Sequence, residues 1–359
     1  MNTTNLSNHT EVKTEFFVED VIQSYIWKIV PLFMIITGII GNILSILVLT
    51  RRQHIRKYTS SVYLTGLAVT DILVLCVGLL RQWVLHVFNW DFREYSEVAC
   101  KLHIFLTYLA IDFSAWILVA VTIERVMLVL IPQQAKEKCT KHVAIVIMIT
   151  ILLFLFCLNS HLMFGMGDSS LDIVDNTTIN KCYPQYQAYN YFYDYIWPWV
   201  DYTKFCILPF TILLCGNILI ATKVINQKRR IQSKINPTKG EGSNRKYYFS
   251  SMNITLFILN SVFLICNTPI SIYLIGYAHW SENSTPKESA ILDLVWSVCN
   301  ILMYLNNTVD FFLYCLSGTE FRREAKLLLC FELKFKHKNQ PNNTFKRATI
   351  NSIQSESMA

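Results

Sequence analysis

Seven runs of predominantly apolar residues, near 26–50, 61–87, 101–131, 142–165, 195–225, 249–278 and 290–316, dominate this 359-residue chain. Each is long enough to cross a hydrocarbon core of ~30 Å, for which about 20 apolar residues suffice. Only 16% of the residues are charged, against roughly 25% in a soluble domain. The sequence therefore predicts an all-α membrane protein: a seven-transmembrane helix bundle, its two ends on opposite sides. A further short amphipathic helix is expected after the last run. The expected organisation is a polar segment 1–24, a membrane domain 25–316 and a terminal segment 317–359.

Charge fixes the expected orientation. Of the 32 Lys and Arg, 24 fall on one side if the spans alternate: Arg51 to Lys57, Arg125 to Lys141, Lys223 to Lys246 and Arg322 to Arg347. Basic residues mark the cytoplasmic side, which puts the amino end outside. Asn2, Asn5, Asn8 and Asn176 are then external N-x-Ser/Thr acceptors for glycosylation. The net charge of +7 reflects topology, and no basic patch interleaved with aromatics points to nucleic acid. Of eleven cysteines, Cys100 and Cys182 alone face the oxidising side, and by elimination they are expected to pair. Cys330, in the basic tail, is a palmitoylation candidate.

Common enzyme motifs are missing: no phosphate-binding Gly-rich loop, no His-Glu-x-x-His, no paired CxxC. The reading is therefore not an enzyme, and no cofactor is expected. A metal hydrolase needs clustered His, whereas His103 and His161 stand singly. A transporter commonly carries an internal repeat, and none is visible. The informative residues are ionisable groups within spans, which are costly and functional by default: Asp71, Arg81, Asp112, Glu124, Arg125, Asp201, Lys204 and Asp310.

Several of these stand in a recognisable order. Gly41-Asn42, Leu67-Ala68-x-x-Asp71, Cys100 with Glu124-Arg125 following, Pro132, Pro209, Phe263 with Cys266-x-x-Pro269, and Asp310-x-x-x-Tyr314 before Phe321-Arg322 run through nearly the whole chain. This layout resembles the rhodopsin-like (class A) G-protein-coupled receptors. The resemblance implies a cell-surface receptor whose sixth span, hinged at Pro269, moves outward to engage a heterotrimeric G protein. Arrestin, receptor kinases and membrane lipids are further implied partners. It implies switch roles for Arg125, its partner Glu124, Phe263, Asn267, Asp310 and Tyr314. A snorkelling Arg125 is the plainer alternative.

The family pattern also brings Asp71, Ser114, Asn306 and Asp310 together. Two close carboxylates cannot both ionise without a counter-charge, so either one is protonated or a cation lies between them. The resemblance implies sodium. Lys204 is expected to pair with Asp112, as an intramembrane lock or as a ligand contact. Arg81, Trp83, Thr107 and Trp296 are expected to line an outer ligand cavity.

Where amine receptors of this family carry Asp, this chain has Thr107, and no Lys in 290–316 can hold retinal. Acidic outer residues, among them Asp91, Glu94 and Glu97, steer cations. The aromatic run from Tyr183 to Trp199 reads as an interfacial belt or a peptide-stacking surface. A peptide ligand, cationic and C-terminally amidated, is the expectation, with lipid or small molecule as the alternative. Leu80-Arg81-Gln82-Trp83 and Ser114-Ala115-Trp116 resemble invertebrate neuropeptide receptors of the FMRFamide-like group. The chain departs from the family at Asn267, where Trp is usual, at Phe311, where Pro is usual, and at Asn217 and Val126, where Tyr is usual.

Overall fold

Burial of every backbone polar group inside a bilayer forces each apolar run into a helix, and that is the architecture of the computed structural model. It describes residues 17–51, 59–170, 179–232, 243–317 and 321–328. Among these, seven helices are long and apolar enough to span a membrane: Val18–Arg51, Ser60–Phe88, Glu97–Leu130, Lys141–Gly165, Gln187–Lys223, Thr255–Tyr277 and Pro286–Leu316. They are called here the first to seventh spans. A short helix at 321–328 follows, and its Phe321 ring packs 5.3 Å from Tyr314. Asn2, Asn5, Asn8, Asn176 and Cys330 lie outside the described residues.

Local chemistry sets the helix limits. Ser96 caps the third span by accepting from the Ala99 amide at 3.1 Å, and Thr140 caps the fourth by accepting from Val143 at 3.3 Å. At the seventh, Thr285 and Glu288 exchange bonds, the Thr285 amide donating to Glu288 at 2.7 Å and the Glu288 amide to Thr285 at 3.3 Å. Such reciprocal caps satisfy amides that have no intrahelical partner. The first span starts at Val18 and the fifth at Gln187, earlier than their apolar runs, because polar residues continue a helix once it leaves the hydrocarbon.

Between the fourth and fifth spans lies a two-stranded antiparallel hairpin, Met166–Ser170 against Ile179–Pro184. Cys100 and Cys182 form a disulfide, Cα to Cα 5.5 Å, which ties that hairpin to the third span. The third span lies at the centre, with 61% of its apolar window buried against 17% for the peripheral fourth. Phe311, standing where the family has Pro, packs on Gly41: a Cβ there would lie 3.0 Å from that of Phe311. The seventh span thus keeps its backbone bond and gains a close contact with the first.

Candidate functional site: polar clusters inside the bundle

Asp71 is fully buried at mid-bundle. Its Oδ1 accepts from Ser114 Oγ at 2.9 Å and from Asn307 Nδ2 at 2.7 Å. The Asp310 carboxyl stands against it. The predicted set is therefore gathered except at one position: Asn307, not Asn306, reaches Asp71. Residues three and four before Asp310 both share its helix side, so spacing admitted either. Asn42 extends the cluster by donating to the Asn307 carbonyl at 2.9 Å. Asp71 Oδ2, Asn42 Oδ1, Ser45 Oγ and Tyr314 Oη are buried without hydrogen-bond partners. Unsatisfied oxygens around two carboxyl groups fit a small hard cation, which prefers oxygen ligands, or a shared proton.

Toward the inner end, Glu124 and Arg125 are both buried. The Arg125 charge acts on the Glu124 carboxyl, which also has a hydrogen bond with Ser60, while Glu124 Oε2 carries none. Phe263 is buried and meets Phe205 edge to face at 6.1 Å. Asn267 turns back on its own helix, donating to the Phe263 carbonyl at 2.8 Å. Asn260 was not expected from the sequence. Its amide donates to Thr122 Oγ1 at 3.1 Å and to Asn217 Oδ1 at 3.0 Å, a buried clamp joining the third, fifth and sixth spans. A polar residue in an apolar run was the available signal.

Lys204 is held as predicted by Asp112, at 2.5 Å, and also by Asp201, at 2.7 Å. Its ammonium lies 5.4 Å from the Tyr108 ring centre and 5.0 Å from that of Trp197. Asn159 of the fourth span completes the group, donating to Asp112 Oδ2 at 2.8 Å. Lys204 lies in a π-helical turn, Thr203–Ile207, just before Pro209. Such turns recur at functional sites. The Trp116 indole donates to the Lys204 carbonyl at 3.0 Å, a second tie between the third and fifth spans.

At the outer end, each of the four expected ligand residues has a neighbour within the protein. Arg81 is bidentate to Asp91, ten residues on, and Arg93 binds the same carboxylate at 2.8 Å. Arg81 therefore clamps the loop after the second span. Burial pushes Asp91 up, but hydrogen bonds and charge from Arg81 and Arg93 outweigh it and hold the carboxyl well below its usual range. Asp91 thus adds no free charge to the mouth, and Glu97 is matched by Lys101 at 2.5 Å. Trp83 donates to the Lys28 carbonyl of the first span at 3.1 Å. Trp296 lies 5.5 Å from Trp27, itself buried and bonded to Ser297. Thr107 donates to its own helix at His103. The aromatic run divides: Trp197 is buried, with Tyr189 and Phe192 packed near it, whereas Tyr183, Tyr186, Tyr191, Tyr195 and Trp199 are exposed.

Comparison with known proteins matches residues 41–314 to the family model described as 7 transmembrane receptor (rhodopsin family). A Caenorhabditis elegans protein described as a probable G-protein coupled receptor is 23% identical over 331 residues, 89% of this chain and 73% of its own. The thyrotropin-releasing hormone receptor of Gallus gallus is 26% identical over 319 residues, 83% of this chain and 76% of its own. The cysteinyl leukotriene receptor 1 of Cavia porcellus is 27% identical over 305 residues, 83% and 82% of the two chains.

Proposed function

This chain belongs to the rhodopsin family of seven-transmembrane receptors, and from that premise we propose that it binds an extracellular peptide and activates a heterotrimeric G protein. Members of the family are receptors and not enzymes, and the chain is a multi-pass protein of the plasma membrane. The observation that carries the peptide reading is the hairpin Met166–Ser170 with Ile179–Pro184, held over the third span by Cys100–Cys182. Tyr183 on the hairpin and Tyr186 just beyond it are exposed and suit stacking on an extended chain. Hormone-receptor relatives support it, and the FMRFamide-like motifs make amidated neuropeptides the first ligands to try. An external amino end is supported by the Cys100–Cys182 bridge, which needs the oxidising side.

Screening the expressed receptor against a neuropeptide library with calcium and cAMP readouts tests this. Nanomolar activation by a peptide is expected. Response to a lipid mediator alone, the kind of ligand named for the leukotriene relative, would replace the peptide reading and keep the receptor.

Arg125 and the basic inner ends of the fifth and sixth spans are the proposed G-protein contacts, with arrestin and receptor kinases at the same face. The sixth span swings about Pro269, so the clamp at Asn260 must open first. Asn260→Leu removes both of its bonds, each worth about 0.5–1.5 kcal/mol. Ligand-free signalling is expected to rise roughly fivefold or more, because 1–3 kcal/mol shifts such an equilibrium by 5–150-fold. Unchanged basal signalling at equal surface density counts against the clamp.

Sodium at Asp71 is proposed to favour the resting state, with Ser114 and Asp310 as further oxygen ligands, Asn307 orienting Asp71 through its amide, and Asn306 beside them. Agonist affinity should then fall as sodium replaces a large organic cation. Asp71→Asn should remove that dependence, and equal sodium sensitivity in both proteins would favour the proton-sharing alternative.

A further inference from the structure

A cavity of about 740 Å³ lies on the side of the bundle between the first, second and fourth spans. The second span keeps its floor low, because Ser61, Thr65, Gly66 and Thr70 present small side chains there, and Ile145 and Leu152 of the fourth span form the facing wall. Val69, Ile145 and Ile149 are exposed, so the cavity opens sideways to the hydrocarbon around a spanning bundle. Along the fourth span it runs from Lys141 to Leu152, roughly 16 Å at the rise of a helix. That is about half of a ~30 Å hydrocarbon core. The groove is therefore one leaflet deep, with one end at the headgroups and the other at the midplane.

The two ends differ in chemistry. Below the rim the hydroxyl hydrogens are spent within the second span: Thr65 Oγ1 donates to the Ser61 carbonyl at 2.7 Å and Thr70 Oγ1 to the Gly66 carbonyl at 2.9 Å. At the rim Thr50 does the same toward the Ile46 carbonyl at 2.6 Å, and Lys141 is the one charged residue in the lining. It is half-buried and makes no ion pair among the described residues. Lys141 opens the helix Lys141–Asn159, whose positive dipole end adds to the ammonium. Arg51, next to Thr50, and Lys138 are exposed at the same end, against Glu137. A head that enters here is selected by that charge. A sterol hydroxyl leaves the ammonium without a counter-ion, and a choline head brings a second cation. A phosphate on a head of net negative charge pairs with Lys141 without either penalty.

We propose that this groove is a site for an anionic glycerophospholipid, whose phosphate pairs with Lys141 and whose acyl chain lies between the second and fourth spans down to Leu152. The chain fills the gap that Gly66 and its small neighbours leave, so occupancy ties the inner halves of these spans together. In the orientation proposed above the groove lies in the cytoplasmic leaflet, which is the anionic one. That match rests on the receptor reading, whereas the binding itself does not.

The test uses the full-length protein in phosphatidylcholine nanodiscs doped with phosphatidylserine that carries a diazirine midway along one chain. Photolabel is read by peptide mass mapping, with neither agonist nor G protein. Label is expected on the peptides bearing Val69 and Ile149, well above that from the same diazirine on phosphatidylcholine, and untagged phosphatidylserine should suppress it. A basic residue near the membrane surface is worth a factor of about five toward an anionic lipid, so Lys141→Gln should lower labelling about fivefold while Lys141→Arg keeps it. Ile145→Trp, which fills the groove, should lower it with the charge intact, and the soluble headgroup glycerophosphoserine should not compete. Equal labelling by the phosphatidylcholine probe, labelling indifferent to Lys141→Gln and Ile145→Trp, or suppression by cholesterol or the soluble headgroup as strong as by phosphatidylserine overturns the proposal.

Discussion

Lys204→Met is expected to abolish surface expression or to leave a receptor that melts far below the parent. The substitution strands Asp112, which is 1% exposed, and Asp201 beside it without their shared cation. Breaking a buried pair by removing one partner costs about 3–5 kcal/mol, because the other charge stays buried and uncompensated. The whole reserve of a folded domain is only about 5–15 kcal/mol. A second substitution separates this cause from lost packing. Asp112→Asn combined with Lys204→Met removes the more deeply buried of the two stranded charges and leaves Asn159 a polar neighbour, so the double variant should melt higher than Lys204→Met alone. Surface immunostaining and thermal denaturation of purified protein measure both. A double variant no better than the single one means that the ion group is not coupled as described.

Cys182→Ser is expected to be the next most damaging change. The bridge closes a chain segment of 82 residues, and removing a native disulfide typically costs about 2–5 kcal/mol. The loss should fall on the outer end, where the hairpin would be released from the third span. Ligand binding should therefore suffer more than helix content. Cys100→Ser, Cys182→Ser and the double variant should behave alike, because all three remove one bond. Parent-like expression and melting in the single variants, or additive losses in the double, would show that the bridge does not hold this face.

Several features were legible because the quantity that decides them is summed along the chain. Hydrocarbon thickness acts on about 20 residues at once, so the seven spans are visible at Val18–Arg51 through Pro286–Leu316 without knowledge of any contact. Membrane sidedness acts on loops as units, which left Cys100 and Cys182 as the pair that the structure joins. Lys204 with Asp112 was legible for a related reason: a charge inside hydrocarbon demands a partner, and few were available.

Tertiary structure decided which side chains meet, because facing direction turns by about 100° per residue along a helix. One step of sequence separates Asn306 from Asn307, and the bundle puts the second against Asp71. π-helical turns at Leu75–Leu79 and Thr203–Ile207 shift that phase again, and no local pattern in the chain announces them. Arg81 found Asp91 across a bend closed by Asn89 at φ 51°. Asn260 became a clamp only because Thr122 and Asn217 arrive beside it from two other helices. Composition along a helix fixes where it lies in the bilayer, but its rotation against its neighbours is set by packing between spans.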